Sequence, residues 1–322
     1  MVAAWVLLLA AGLDRLLGDP PGWPHPVRGM GLAIASSTRI LQQRVRHPLG
    51  RRWAGAGLAV GLVLASGLAA WLLVRGAAAI QPLLGSGIEA VLVASCLAGR
   101  SLRAAAEEIM QPLAAGQLAQ ACERLGQYVG RDTDGLSPDE IRRATVETVA
   151  ENATDGVMAP LFYAIAGAFL PGIGSAPLAM AYKAASTLDS MVGYRREPYT
   201  DLGWASARLE DGLSWLPCRL TMVALALRSG KLKRVWRWCH RDAPRDPSPN
   251  AGWSECAYAA ALGIQLGGPN WYGGIRTDKP LLGEPLEPIA PVHVERALRL
   301  TRDCALAGLL LGVAGVLGAQ VL

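Results

Sequence analysis

The sequence predicts an all-α, polytopic integral membrane protein with about four spanning helices, further re-entrant or buried helices, and a large cytoplasmic helical part. Three observations predict it. Of the 322 residues, 52% are hydrophobic, and the mean hydropathy is +0.26. That is apolar for a soluble enzyme and polar for a chain made only of membrane helices. Ala, Leu and Gly dominate and there are only two Phe, a composition that lets helices approach closely. Strand-type alternation is weak throughout, so the chain reads as helical.

A spanning helix needs about 20 apolar residues. AGAGLAVGLVLASGLAAWLLV (54–74) and CALAGLLLGVAGVLGAQVL (304–322) satisfy this, and the shorter or interrupted stretches 1–17 and 82–98 complete the four. MVAAWVLLLAAGL lacks the basic n-region of a cleavable signal and leads into Asp14 and Arg15. Segments 157–170 and 216–227 fall short of spanning length, and the first ends in the helix-breaking PGIGSAP (171–177). They read as buried or re-entrant. Arg28, Arg39, Arg44, Arg46, Arg51 and Arg52, with the many basic residues of 195–245, belong in the cytoplasm by the positive-inside rule. The N-terminus then starts outside. The chain is one enzyme domain, 1–322, with 99–302 as its main cytoplasmic, catalytic part. DKPLLGEPLEPIAP (278–291) reads as a linker or extended arm before the last helix.

Net charge is +5. In a membrane chain such an excess expresses topology rather than nucleic-acid binding. KLKRVWRWCHR (231–241) is the most basic stretch, and it reads as a membrane-surface face. The six Cys form no CxxC and have no His at ligand spacing, which argues against a zinc site or a disulfide framework.

Four constellations carry polar chemistry. In ETVAENATDG (147–156), Glu147, Glu151 and Asp155 recur every four residues, with Asn152 beside the middle one. On a helix they share a face, where like charges repel unless something offsets them. No basic residue follows at i+4, the stripe runs into an apolar segment, and Thr-Asp-Gly signals a helix end. A solvated helix face would carry such a stripe; so would a Mg²⁺ site, which takes one or two carboxylates plus substrate phosphates. In AYKAASTLDSMVGYRR (181–196), Lys183, Ser186, Thr187, Asp189 and Ser190 lie near one side of a helix. They suit either a phosphate with its metal or a snorkelling lysine. GDPPGWPHPVRGMG (18–31) mixes Asp19, His25 and Arg28 into a rigid Gly/Pro loop. In SPNAGWSECAYAAALGIQLGGPNWYGG (248–274), Asn250 or Ser254 caps a helix starting near Glu255, and the glycines admit close approach of a large flat ligand. No P-loop and no dinucleotide-binding fingerprint is present.

These segments, with YTDLGWASARLEDGLSWLPCRL between them, occur in an order that resembles the adenosylcobinamide-phosphate synthase family of cobalamin biosynthesis. The matching motifs cover residues 12–31 and most of 145–275. The resemblance implies a multi-pass enzyme of the inner cell membrane, its active site facing the cytoplasm. Such enzymes join the propionate carboxylate of adenosylcobyric acid to the amine of (R)-1-amino-2-propanol O-phosphate, or to aminopropanol, and are taken to use ATP and Mg²⁺. Partners implied are the corrinoid, the aminoalcohol phosphate, the lipid bilayer, a second copy and other late-pathway enzymes, with no nucleic acid.

On that chemistry, ATP turns the carboxylate into an acyl phosphate that the amine attacks, so the site needs phosphate contacts and metal ligands. Glu147, Glu151, Asp155 and Asp189 are the expected Mg²⁺ ligands. Asn152 would orient a phosphate or water. Lys183, with Arg28 or Arg195, would neutralise phosphate oxygens, and Glu151 or Asp189 would handle the ammonium proton. Asp19, His25, Asn250 and Trp253 are expected to line substrate, with 248–274 as a wall for the corrin. The competing readings are a membrane carrier, suggested by polar groups and a broken helix in an apolar region, and a non-catalytic scaffold for corrinoid intermediates.

Overall fold

Proline and a few short polar side chains mark where this chain enters its helices. In the computed structural model, which describes residues 2–19, 22 and 25–319, α1 is Val2–Leu16 and α2 Pro26–Arg44. α3 is Pro48–Ile80, α4 Pro82–Ala94 and α5 Gly99–Ala114. Pro26, Pro48 and Pro82 each occupy a first helical position, where a missing N–H costs nothing and the fixed φ already suits the helix. α6 is Leu118–Gly126 and α7 Pro138–Asn152. α7 opens with a capping box: Ser137 Oγ accepts from Glu140 N, and the Glu140 carboxylate accepts from Ser137 N at 2.8 Å.

The helix does not end at Thr-Asp-Gly. It passes through a π turn, Ala153–Met158, into α8, Ala159–Ala168. α9 is Ser175–Val192, α10 Trp204–Ser229, α11 Leu232–Asp242, α12 Ala251–Leu262 and α13 Pro291–Ala319. Between α12 and α13 lies an antiparallel hairpin, β1 Gln265–Tyr272 and β2 Ile275–Gly283. The all-α expectation is corrected here. Gly273 and Gly274 both adopt positive φ, which a two-residue turn requires to match the twist of its strands. The first half of the supposed linker 278–291 is therefore strand.

Among the described residues, three stretches are long and apolar enough to cross a membrane: Pro48–Ile80, Pro82–Ala114 and Pro291–Ala319. The middle one leaves helical hydrogen bonding at 95–98, between α4 and α5. α1, counted among the four expected spans, has 15 residues and is not one of the three.

The chain divides into two compact units. The first comprises residues 1–98, 159–214 and 307–322. In it, α9 packs on α3 and α8, and α4 on α3 and α1. Ile34, Ala59, Leu188 and Val192 form one of its buried clusters. The loop between α8 and α9 is tied down: Trp71 Nε1 and Arg75 each donate to Gly172 O at 2.8 Å, and Glu89 Oε1 accepts from Ser175 N at 2.6 Å. Glu89 thus caps α9 from a neighbouring helix, where the positive helix end favours a carboxylate.

The second unit comprises 99–158 and 215–306. Of the stretch 99–302, residues 159–214 fold with the first unit. The core of the second unit forms around α12, whose Cys256, Ala257, Tyr258, Ala259 and Ala260 are fully buried. A helix apolar on every side belongs inside. It stops at Gly263, which takes the left-handed conformation of a helix C-terminus (φ 77°).

Candidate active site: carboxylates met by the chain's own cations

Inside the second unit, the acidic stripe of α7 meets the β hairpin. Glu147 is 3% exposed. Its Oε1 accepts from Gly267 N at 2.9 Å and from Arg143 at 3.1 Å, and its Oε2 accepts from Arg131. Arg143 also donates to Gly267 O at 2.5 Å, to Pro269 O at 3.0 Å and to Asn270 Oδ1 at 3.1 Å. Arg131 joins the same Asn270 oxygen. Burial alone would raise the Glu147 carboxyl, but the two guanidinium groups outweigh it and hold the group below the ordinary range.

Behind this network stands Glu255 of α12, 0% exposed. Its Oε1 lies 3.5 Å from Lys279 Nζ on β2. Among the described residues its Oε2 has no hydrogen-bond partner, and neither has Asn270 Nδ2. Burial pushes the Glu255 carboxyl up to about 8, against the pull of Lys279 and with help from Glu147, Glu151 and Asp246. Burial works to lower Lys279, but Glu255, Glu151, Glu147 and Asp246 outweigh it, so the ammonium keeps its proton more firmly than usual. The Lys279 side chain is 32% exposed and is the member of the pair that reaches solvent. Asn270 faces Thr277 across the hairpin, which puts Lys279 diagonal to it on one face.

The cations that face Glu147 are thus internal: Arg131 and Arg143 in contact, and Lys279 at longer range. Arg143 precedes Glu147 by four residues, so the partner absent on the C-terminal side stands on the N-terminal one. Glu147, expected as a metal ligand, stands at the centre of a buried ion-pair network. Glu151 is exposed, Asn152 is exposed and donates to Thr148 O at 2.9 Å, and Asp155 sits half-buried in the π turn. The wider π turn shifts Asp155 off the i+4 line. Among the described residues no group of three or more His, Cys, Asp and Glu side chains is placed to hold a metal ion. A resident magnesium built on Glu147, Glu151 and Asp155 does not fit this arrangement.

Ser254 is not a helix cap, because α12 already begins at Ala251. Its Oγ donates to Ala150 O at 2.6 Å and meets Thr154 Oγ1 at 2.8 Å, fastening α12 to α7 and its π turn. Asn250 is at the cap position but turns its Oδ1 to Arg219 at 2.6 Å. Trp253 lies under that guanidinium, 4.7 Å from its ring centroid.

The remaining expected residues belong to the first unit. Lys183 and Asp189 are half-buried on α9, and Arg28 and Arg195 are exposed. Thr187 and Ser190 hydroxyls donate to Lys183 O and Ser186 O on their own helix, at 2.7 and 2.9 Å. His25 Nε2 lies 3.0 Å from Asp19, and its Nδ1 accepts from Val27 N at 3.3 Å, so this pair opens α2.

Glu255 and Lys279 were missed by sequence reasoning. A signal existed for the first: Glu255 is the one charged residue in AGWSECAYAAAL, and a carboxylate in an otherwise buried helix needs a partner.

The CobD/Cbib protein family model matches residues 7–301. This chain belongs to that family. It is 51% identical over 320 residues to the cobalamin biosynthesis protein CobD of Synechocystis, covering 99% of this chain and 94% of that one. It is 43% identical over 304 residues to the cobalamin biosynthesis protein CbiB of Salmonella choleraesuis, covering 93% and 92%. The corresponding CobD of Klebsiella pneumoniae is 42% identical over 301 residues, covering 92% and 90%. No solved structure matches the chain. The family resemblance carried by the motifs therefore holds over nearly the whole sequence, and the chain is a cobalamin biosynthesis protein.

Proposed function

We propose that the protein is the amide-forming synthase of this pathway. It would join the propionate carboxylate of adenosylcobyric acid to (R)-1-amino-2-propanol O-phosphate, in the membrane and with its site open to the cytoplasm. Family membership supports the pathway. The observation that supports the chemistry is the Glu255–Lys279 pair: a cation seated beside a buried carboxyl, reaching solvent within electrostatic range of Glu151.

ATP would phosphorylate the carboxylate and leave as ADP. The amine nitrogen then bonds to the acyl carbon, the carbon–oxygen bond to phosphate breaks, and phosphate and one proton depart. Lys279 is positioned to steady the phosphate oxygens as charge builds on them. Glu255 is a positioning residue that holds the Lys279 ammonium at 3.5 Å. Glu151, exposed one turn beyond Glu147, is the carboxylate proposed to accept the ammonium proton. Magnesium enters this reading only as the counter-ion of the nucleotide.

The test is amide formation by the purified protein in detergent, given adenosylcobyric acid, aminopropanol phosphate, ATP and Mg²⁺. Wild type should form product. Lys279→Met and Glu151→Ala should each lower kcat by about 100-fold or more, the scale of removing a group that acts in the transition state. Unchanged turnover in both variants would move the chemistry away from the hairpin. A folded wild type that makes no product would favour the carrier or scaffold.

A further inference from the structure

α11 carries two exposed rows side by side. Leu232, Trp236, His240 and Pro244 make an apolar and aromatic row, and Lys233, Arg237, Arg241 and Arg245 make a cationic one. Residues four apart share a helix face, so the rows run together along one side, Pro244 and Arg245 lying in the short helical turn that follows. Leu232 is 53% exposed and Trp236 58%, although the opposite side of α11 buries Val235, Trp238 and Cys239 in the core.

Residues 231–245 contain six basic side chains and one acidic one. Their net charge equals the +5 of the entire chain, so the rest of the molecule balances to zero. Lys233 and Arg237 have no ion-pair partner among the described residues, whereas Arg241 pairs with Asp242 and Glu284. The apolar row continues through a ladder of rings and cations. Trp236 lies 4.1 Å from His240, His240 packs edge-on against Trp253 at 5.1 Å, and Arg219 sits over both Trp253 and Trp215. Beyond Trp215, Leu216, Leu220, Val223 and Leu227 of α10 are exposed.

We propose that this face of the second unit lies on the bilayer surface and binds anionic lipid headgroups. The charge is complementary, tryptophan suits the headgroup level, and a cationic row beside an apolar one is the build of an interfacial helix. Its partner is already at hand in a chain with three stretches able to cross a membrane. The inference does not depend on which reaction the protein catalyses.

The experiment uses the full chain in nanodiscs of phosphatidylcholine, with or without phosphatidylglycerol, each containing brominated lipid. A fluorophore is attached at Leu232→Cys, or at Glu123→Cys on exposed α6 as control; the six native thiols are buried. The 232 probe should be quenched, more strongly with phosphatidylglycerol, and the 123 probe should not. Lys233→Gln and Arg237→Gln should each weaken docking about five-fold, the worth of one basic residue near an anionic surface. The swap Lys233→Arg with Arg237→Lys should preserve it. Equal quenching at both positions, or no dependence on the anionic lipid or on the two cations, overturns the proposal. So does protection of the 232 probe in detergent that grows with protein concentration or with added single-stranded RNA, which would assign the face to a second copy or to nucleic acid.

Discussion

Arg143 and Glu147 stand one turn apart on α7 and meet at 3.1 Å, while the same guanidinium donates to Gly267 O, Pro269 O and Asn270 Oδ1 of the hairpin. One arginine therefore ties the acidic helix to β1, and Glu147 supplies the charge that allows two arginines to be buried there.

Removing that charge leaves Arg131 and Arg143 without their anion, with side chains only 9% and 13% exposed. Glu147→Ala should cost about 3–5 kcal/mol, the scale for breaking a buried pair from one side. A lowered thermal midpoint of the purified protein, unrelieved by added Mg²⁺, is the expected reading. A variant of unchanged midpoint that needs more Mg²⁺ for activity would return Glu147 to a metal-ligand role.

Glu255 makes stability depend on pH in the direction opposite to an ordinary paired carboxylate. The folded chain holds its proton to about 8, against 4.5 for a free glutamate. Between those values the folded form binds the extra proton, so stability falls as pH rises, by at most about 1.4 kcal/mol per pH unit. Lys279 stays charged across this window and adds no slope. Glu147, lowered, has its contribution in full above the ordinary carboxylate value and loses it on acidification. Unfolding midpoints measured from pH 4.5 to 8 should decline for the wild type and flatten for Glu255→Gln. Parallel profiles would show that Glu255 is ionised throughout.

Asp132 closes the hairpin from outside, accepting from Gly273 N at 2.9 Å and Gly274 N at 2.7 Å. Those two backbone bonds hold its carboxyl below the ordinary range. Asp132→Ala should speed hydrogen exchange at the Gly273 and Gly274 amides while leaving α12 protected. Acidification through the lowered carboxyl value should do the same to the wild type. Exchange at the turn that ignores both changes would mean the strands alone hold it.

α13 approaches α8 through its glycines. A Cβ on Gly312 would come within 2.6 Å of Ile165. Gly312→Ala should therefore destabilise by about 1–3 kcal/mol through overpacking. Ile165→Ala placed in the same chain should recover part of the loss, as a double-mutant cycle of thermal midpoints would reveal.

Much of the membrane architecture is written in hydropathy, because an apolar run of spanning length has few other uses. The stretch 54–74 falls within α3 and 304–319 within α13 for that reason, and 157–170 with PGIGSAP gives the short α8 and its tied loop. The hairpin was hidden by Pro269 and Pro280, which count against strands, although Gly273-Gly274 between NWY and IRT is a two-residue turn signal. The stripe was legible as a demand for positive charge. Its partners were not, since Arg131 and Lys279 are brought to it by the fold and Arg143 lies on the N-terminal side of Glu147. The end signal at Thr-Asp-Gly was overridden because a π turn keeps the backbone bonded while the helix continues.

The clamped loop between α8 and α9 has a consequence for covalent continuity. Gly172 is anchored to Trp71 and Arg75 of α3, and Ser175 is anchored separately to Glu89 of α4. Each side of the loop thus has its own mooring, and α9 is held by α3 as well as by the chain. A polypeptide cut after Gly172 would remain one object, so the gene could be divided there into two co-expressed halves that reassemble without a linker.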